Sequence, residues 1–326
     1  MIPNEYSPAF SSGLADKLQA FLINKRAAGN KYVSEAHLLS QLDKYLTSME
    51  KKQPYEERLL SWGLKRDSES AKTHHLRVTV LRQFCLYLNR HGESITLPEC
   101  PKKLSLSFVP YIFTHEQISA VITSADTMTS RVHDSRICLN MPTLLRTLYG
   151  TGMRASEATG LLIRHVDLKQ GVITVWRSKN EISRYLPIKP CLQAQIAKHI
   201  DKMYAAPKDD DFLFPTKKQQ QYSAKTIYAA FRDILWRSGI SHGGRGKGPR
   251  LHDIRHTFAV HSLQKLIKEG YDTYLLLPIL STYLGHTNIH ATEKYLRLTP
   301  EMYPDMLEKV RQTCGRMMPE VDYEID

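Results

Sequence analysis

The sequence predicts a mainly α protein with a small β-sheet, of the α+β class, in two domains. Three observations carry that expectation. Residues 1 to about 105 place apolar side chains at helical spacing. Only the segment from Val166 to Ile188 alternates strand-forming residues with turns. Between Gly92 and Pro110, the residues Pro98, Pro101, Pro110, Lys102 and Lys103 interrupt periodicity, as an interdomain linker does. The domain boundaries that follow are 1–105 and 106–326.

In the first domain, Leu14, Leu18, Phe21 and Leu22 form one amphipathic stripe, and Leu38, Leu39, Leu42, Tyr45 and Leu46 form another. A short helix is expected from Tyr55 to Leu64. A long one is expected from Ser70 to Asn89, with Leu76, Val80, Leu81, Phe84 and Leu88 facing inward. A small bundle results. Lys65, Arg66, Lys72, His74, His75, Arg77 and Arg82 cluster on and before the last helix. Such a cluster is either a solvated face or a set of phosphate contacts, according to what the rest of the chain handles.

The second domain opens at Thr114, a capping residue with Gln117 three positions on. A helix over Ile137 to Tyr149 should end at Gly150 and Gly152, leaving Arg154 at or just before the next helix. Helix amides and a guanidinium would then point the same way, which suits an anion. Val172 to Trp176 and Arg184 to Ile188 read as a hairpin with Lys179 at its tip, where a lysine is ordinarily a solvated charge. Two amphipathic helices, Leu192 to Tyr204 and Ala224 to Ser238, flank Asp209-Asp210-Asp211. That acidic run precedes a turn and reads as surface. Gly243 to Gly248 lacks a nucleotide-binding loop's spacing and reads as a flexible basic loop. Met302, Met306, Leu307, Val310 and Cys314 have helical spacing, ahead of an acidic end containing Glu320, Asp322, Glu324 and Asp326.

Composition narrows the function classes. The 326 residues are ample for two cores, and 45 Lys plus Arg against 33 Asp plus Glu give a net charge of +12, which favours a polyanionic partner. No run approaches the length of a membrane span and the amino terminus does not resemble a signal peptide, so nucleic acid is favoured over membrane and a cytoplasmic location is expected. Cys85, Cys100, Cys138, Cys191 and Cys314 are scattered and odd in number, which fits free thiols in a reducing compartment.

The stretch from Leu251 to Leu298 concentrates chemistry. His252 and Arg255 lie three apart within the apolar pattern Leu251, Ile254, Phe258 and Leu263, so a helix turns both to one side. A planar guanidinium matches paired phosphate oxygens, and an imidazole can join it. His252 and His256 also have zinc-ligand spacing, but no Glu follows His252 and the cationic Arg255 between them opposes a divalent metal. Gly285 is placed to stop the helix of Leu275, Leu276, Ile279, Leu280, Tyr283 and Leu284, projecting His286 beyond its end. Tyr295 precedes Pro300 on what should be a short helix. A lone His at a helix end is usually a cap, and one Tyr among 17 is usually packing. The combination is more informative than either residue.

His-x-x-Arg, then Leu-Gly-His, then Tyr nine residues on resembles the tyrosine recombinase (phage integrase) family. Leu148 to Leu161 looks like that family's first arginine box, with Arg154 as its cation and Glu157 as the acidic companion, and Lys179 falls where the family carries a hairpin lysine. The resemblance implies a helical core-binding domain over 1–105 and a tyrosine-recombinase catalytic domain over 106–326. It implies the catalytic set Arg154, Lys179, His252, Arg255, His286 and Tyr295, with no metal and no cofactor. Tyr295 would attack a phosphodiester to give a 3′-phosphotyrosyl intermediate. Arg154, Arg255 and His286 would bind nonbridging oxygens, His252 would act as base or orienting partner, and Lys179 would protonate the leaving 5′ oxygen. The implied partners are double-stranded DNA with specific recombination sites, a homo-tetramer formed on DNA by exchange of the C-terminal helix, and accessory recombination proteins. A type IB topoisomerase-like relaxing enzyme and a non-cleaving DNA-binding regulator are the alternatives.

Overall fold

The computed structural model describes residues 6–49, 54–101, 109–129, 135–176, 183–244, 248–286, 292 and 295. The chain divides into two compact units, Met1–Ser107 and Phe108–Asp326. Lys179, most of the Lys-containing end of the linker, and the apolar stripe from Met302 to Cys314 lie outside the described residues.

The described part of the first unit is helical: α1 (Ala15–Ala27), α2 (Val33–Ser48), α3 (Tyr55–Gly63) and α4 (Ala71–Arg90). Leu18, Phe21, Leu22, Leu39, Leu42, Leu46, Leu59, Leu81, Phe84 and Leu88 make one buried core. Ser70 starts α4 by accepting the Thr73 amide on its hydroxyl. The carboxylate of the buried Asp43 accepts the Ser11 and Ser12 amides, each at 2.9 Å, tying the segment before α1 to α2.

Two expectations about α4 are corrected. Leu76 is exposed, while Arg77 is buried. The reason is angular: Arg77, Val80, Leu81, Phe84 and Leu88 share one helical face, and Leu76 stands about 100° away from Arg77. The Arg77 guanidinium donates to both carboxylate oxygens of Glu69, at 2.8 and 2.7 Å, and to the carbonyls of Leu64 (2.8 Å) and Trp62. His74 bonds the Gly63 carbonyl, His75 the Pro101 carbonyl, and Arg82 the Pro98 carbonyl. Much of the basic cluster therefore holds the unit together, and Lys65, Arg66 and Lys72 remain as its exposed cations.

The second unit comprises α5 (His115–Asp126), α6 (Ser135–Thr151), α7 (Ala155–Thr159), the strands β1 (Val166–Asp167), β2 (Val172–Val175) and β3 (Arg184–Pro187), then α8 (Pro190–Met203), α9 (Ala224–Arg237), α10 (Asp253–Lys268) and α11 (Thr273–Leu284). The strands form an antiparallel sheet in the order β1-β2-β3, with Ile173 opposite Leu186 and Val175 opposite Arg184. Thr114 and Gln117 close a reciprocal capping box at α5. Helix α6 is the central element and packs against α5, α8, α9 and α10. Phe113, Leu144, Leu148, Ile173, Leu186, Ile196, Phe214, Phe231 and Ile254 are buried around it.

Helix α6 continues through Gly150 and ends at Thr151, so only Gly152 takes the left-handed conformation, at φ +61°. A Cβ on Gly152 would lie 2.2 Å from the Phe258 ring, so both the turn and the close approach of α10 require glycine. The acidic run is structural. Asp211 and Asp209 accept the Ile163 and Arg164 amides on their carbonyls, at 2.9 and 3.1 Å, and the Asp210 carboxylate pairs with Arg164. Among the described residues, no helix is long and apolar enough to cross a membrane.

Candidate active site

Three breaks between helices bring the site together. Arg154 is the N-cap of α7 with extended dihedrals, and its backbone amide donates to Glu157 Oε2 at 2.8 Å. Its Nη1 donates to Glu157 Oε1 at 2.7 Å, and its Nη2 reaches the Gly285 carbonyl at 3.4 Å. Because the glycine turn ends α6, this guanidinium folds back towards the end of α11 instead of continuing along α6.

Arg255 lies in the first turn of α10 and is 3% exposed. Its Nη1 donates to the Gly152 carbonyl at 2.9 Å and its Nη2 to the Leu284 carbonyl at 2.6 Å. One guanidinium thus satisfies carbonyls at the ends of two helices, groups that have no acceptor role left within those helices. Burial, and then the neighbouring charge of Arg154, lower its pKa to about 10, so it stays a cation at neutral pH.

Glu157 sits between cations. Arg184, buried on β3, donates to its Oε2 at 2.7 Å and its Oε1 at 3.2 Å, and Arg184 Nε donates to the Tyr283 carbonyl at 3.0 Å. Burial pushes the Glu157 carboxyl up, but the hydrogen bonds from Arg184 and Arg154 outweigh it and hold the group below the usual carboxylate range.

Gly285, at φ +67°, stops α11 and lets the His286 amide donate to the Ser281 carbonyl at 3.0 Å. The His286 ring turns its Nδ1 to Thr292 Oγ1 at 2.8 Å. Burial first, and then Arg255 and Arg154, bring its pKa down to about 4, so the ring is neutral at physiological pH. His252, in helical dihedrals just before α10, is exposed on its open side, while packing beneath it and the Arg255 charge lower its pKa.

Tyr295 is 2% exposed. Its hydroxyl lies 3.0 Å from His256 Nδ1, and its ring stacks at 6.3 Å and 21° to the His286 ring. Burial raises the phenol's pKa, while the charge of Arg255 and a hydrogen bond from it oppose that rise. Arg154, His252, Arg255, His286 and Tyr295 therefore surround one polar site, and Lys179 lies outside the described residues.

Residues 112–302 match the phage integrase family, more than half of the chain. The chain belongs to the phage integrase family. This integrase-family chain is 27% identical over 247 residues to the tyrosine recombinase XerA of Pyrococcus furiosus, covering 74% of each chain. It is 26% identical over 239 residues to the tyrosine recombinase XerD of Neisseria meningitidis serogroup B, covering 70% of this chain and 73% of that one. Its fold is similar to that of the Tn1549 transposon integrase in complex with transposon right end DNA, with a TM-score of 0.61, 18% identity, and coverage of 86% of this chain and 94% of that one.

Two residues of this integrase-family site escaped the sequence reading. In the sequence Arg184 marks only one end of a strand, yet it shares the inward register with Leu186, and an arginine at a core-facing strand position signals a buried partner. His256 points in the sequence only to zinc, by its spacing from His252. Its contact with Tyr295 joins residues 39 apart, which no local spacing encodes. Chemically, the site offers two fixed guanidiniums, neutral imidazoles and a buried phenol, an arrangement suited to a phosphodiester and an oxygen nucleophile.

Proposed function

We propose that this tyrosine recombinase cuts and rejoins DNA at specific sites through a 3′-phosphotyrosyl link to Tyr295, in the integration, excision or transposition of a mobile element. The observation that carries the reading is the Tyr295 hydroxyl buried beside Arg255, with Arg154 and His286 in the same cluster. Each guanidinium has five N–H groups, so those not held by Glu157 or the helix-end carbonyls can face the nonbridging oxygens. Fixed donors of this kind stabilise charge accumulating on phosphorus without reorganising. If the Thr292 hydroxyl donates to His286 Nδ1, the ring proton sits on Nε2 and can be offered to the same oxygens. His252 stands beside Arg255 as a further imidazole, and Lys179 supplies the proton taken by the leaving 5′ oxygen. The Tyr295 Oη–P bond forms as the P–O5′ bond breaks. Attack by another 5′ hydroxyl reverses this without an external energy source.

The relatives named tyrosine recombinases support the reading, as does the fold likeness to an integrase solved on DNA. A nicked suicide duplex, from which the cleaved strand diffuses away, tests it. Wild-type protein should become covalently attached to DNA and Tyr295→Phe should not; no attachment at saturating binding refutes it. Strand exchange between two sites then distinguishes recombination from topoisomerase-like relaxation.

Assembly is proposed as a homo-tetramer on DNA, with the stripe Met302, Met306, Leu307 and Val310 docking on a neighbouring copy. A cavity of about 700 Å³ between α5, α6, α8 and α10, lined in part by Leu192, Phe258 and Leu266, supports this by its apolar character. Lys189 and Lys265 on its lining are exposed and complement the acidic residues Glu320, Asp322, Glu324 and Asp326. Deleting 301–326 should leave binding to a single site and abolish the slower-migrating complex of paired sites. Accessory proteins would set direction, and action on DNA would place the protein in the cytoplasm.

A further inference from the structure

We infer that His256 receives the phenolic proton of Tyr295 as the tyrosine attacks, which makes it a catalytic residue in addition to the six assigned above. This rests on the recombinase reading. A phenol is mostly un-ionised at neutral pH, and burial makes this one more so, so attack requires an acceptor in contact with its hydroxyl. His256 Nδ1 is in that position at 3.0 Å. His286 is less suited, because its Nδ1 is engaged with Thr292 and its ring lies parallel to that of Tyr295. His252 packs edge-on against His256, ring centroids 4.8 Å apart, on the preceding turn of the chain.

The surroundings keep His256 able to accept. It is partly buried, and His252, Arg250 and Arg255 from its own stretch and His286 from the end of α11 all oppose a positive charge on it. Burial is the largest of these influences, and together they lower its pKa to about 3. The ring is therefore neutral, and with its proton on Nε2 the Nδ1 lone pair faces the phenol. Such a ring is a weak base towards a resting phenol. It becomes adequate during attack, because bond formation from Oη to phosphorus makes the phenolic proton strongly acidic, and a phosphodiester between Arg154 and Arg255 offsets the cations that disfavour imidazolium. The balance is complete: Oη–P forms, P–O5′ breaks, the Oη proton moves to His256 Nδ1, and the 5′ oxygen takes its proton from a separate acid. On religation, His256 returns the proton to the departing tyrosinate.

The test measures single-turnover cleavage of a suicide duplex by the full chain and by His256→Asn, whose amide oxygen preserves an acceptor near Nδ1 but does not take a proton. Cleavage should fall roughly hundredfold with duplex affinity retained. A duplex with sulfur replacing the leaving 5′ oxygen needs no proton on its leaving group, so it should restore Lys179→Ala but not His256→Asn. Replacing Tyr295 by 3,5-difluorotyrosine, a much more acidic phenol, should recover roughly tenfold or more of the His256→Asn loss. Wild-type rates in His256→Asn, rescue by sulfur, or no recovery with the fluorinated tyrosine would each overturn the inference while leaving recombination intact. Absence of any wild-type adduct would instead overturn the recombinase reading beneath it. If His256→Asn fails to bind duplex, His256→Gln, whose amide lies beyond the Nδ1 position, is judged by the same outcomes.

Discussion

Arg255 donates to the carbonyl oxygen of Leu284 at 2.6 Å, joining the first turn of α10 to the residue before Gly285 and His286. The cation expected to face phosphate is thus also a brace for the helix end that presents an imidazole. With its second bond to Gly152, it links all three chain breaks that form the site.

Arg255→Lys should therefore lose both structure and activity. An ammonium keeps the charge but cannot span two carbonyls in a fixed fork. Leaving one buried carbonyl unpaired costs about 1–3 kcal/mol. Denaturant unfolding should show that loss, and suicide-duplex cleavage should fall by more than the drop in duplex affinity. Unchanged stability would mean that the brace carries no weight.

Glu157→Gln tests the pair of guanidiniums around one carboxylate. The Glu157 pKa is depressed in the folded chain, so between its folded and unfolded values the unfolded state binds more protons. Its contribution is present above the ordinary carboxylate pKa and is lost as pH falls through the lower folded value. The stability difference between wild type and Glu157→Gln should be constant near neutrality and shrink in acid. A gap that widens on acidification would reverse the assigned sign.

Gly152→Ala should be poorly tolerated. The residue has positive φ, and its new methyl would meet the Phe258 ring. Left-handed backbone strain for a non-glycine costs about 1–3 kcal/mol, with the steric clash in addition. Phe258→Ala in the same chain should relieve only the clash, so chemical denaturation of the double variant should recover part of the loss and never all of it.

Cations on the first unit should separate into two kinds. Lys72→Ala removes an exposed charge, so it should weaken duplex binding and lower the slope of log affinity against log salt by roughly 0.9 if it contacts one phosphate. Arg77→Ala removes a buried guanidinium and leaves the half-buried Glu69 and the Leu64 carbonyl without their donor, which costs about 1–3 kcal/mol. Thermal unfolding should report Arg77→Ala and salt titration should report Lys72→Ala; the opposite pattern would refute this division.

Several features were legible because they are local. The stripes of α1, α2 and α4, the capping box at Thr114, the hairpin strands and the stop at Gly285 each need only a few neighbouring residues, and the structure forms them. The register of α4 differs at Leu76 because apolar spacing alone turns a leucine inward, whereas Arg77 takes the inward face. Only the folded unit reveals that Glu69 and the carbonyls of Trp62 and Leu64 are placed to receive Arg77.

By itself, the sequence determined the fold class, the family pattern and the chemical types at the site, since helical periodicity, glycine stops and motif spacing are properties of short stretches. Tertiary structure decided which groups share a proton or a charge: Arg184 with Glu157, Arg255 with Leu284, His256 with Tyr295. Those partners lie 27, 29 and 39 residues apart, and hydrogen bonds act over about 3 Å of space whatever the separation along the chain. Packing of α6, α7, α10 and α11 brings them within that range.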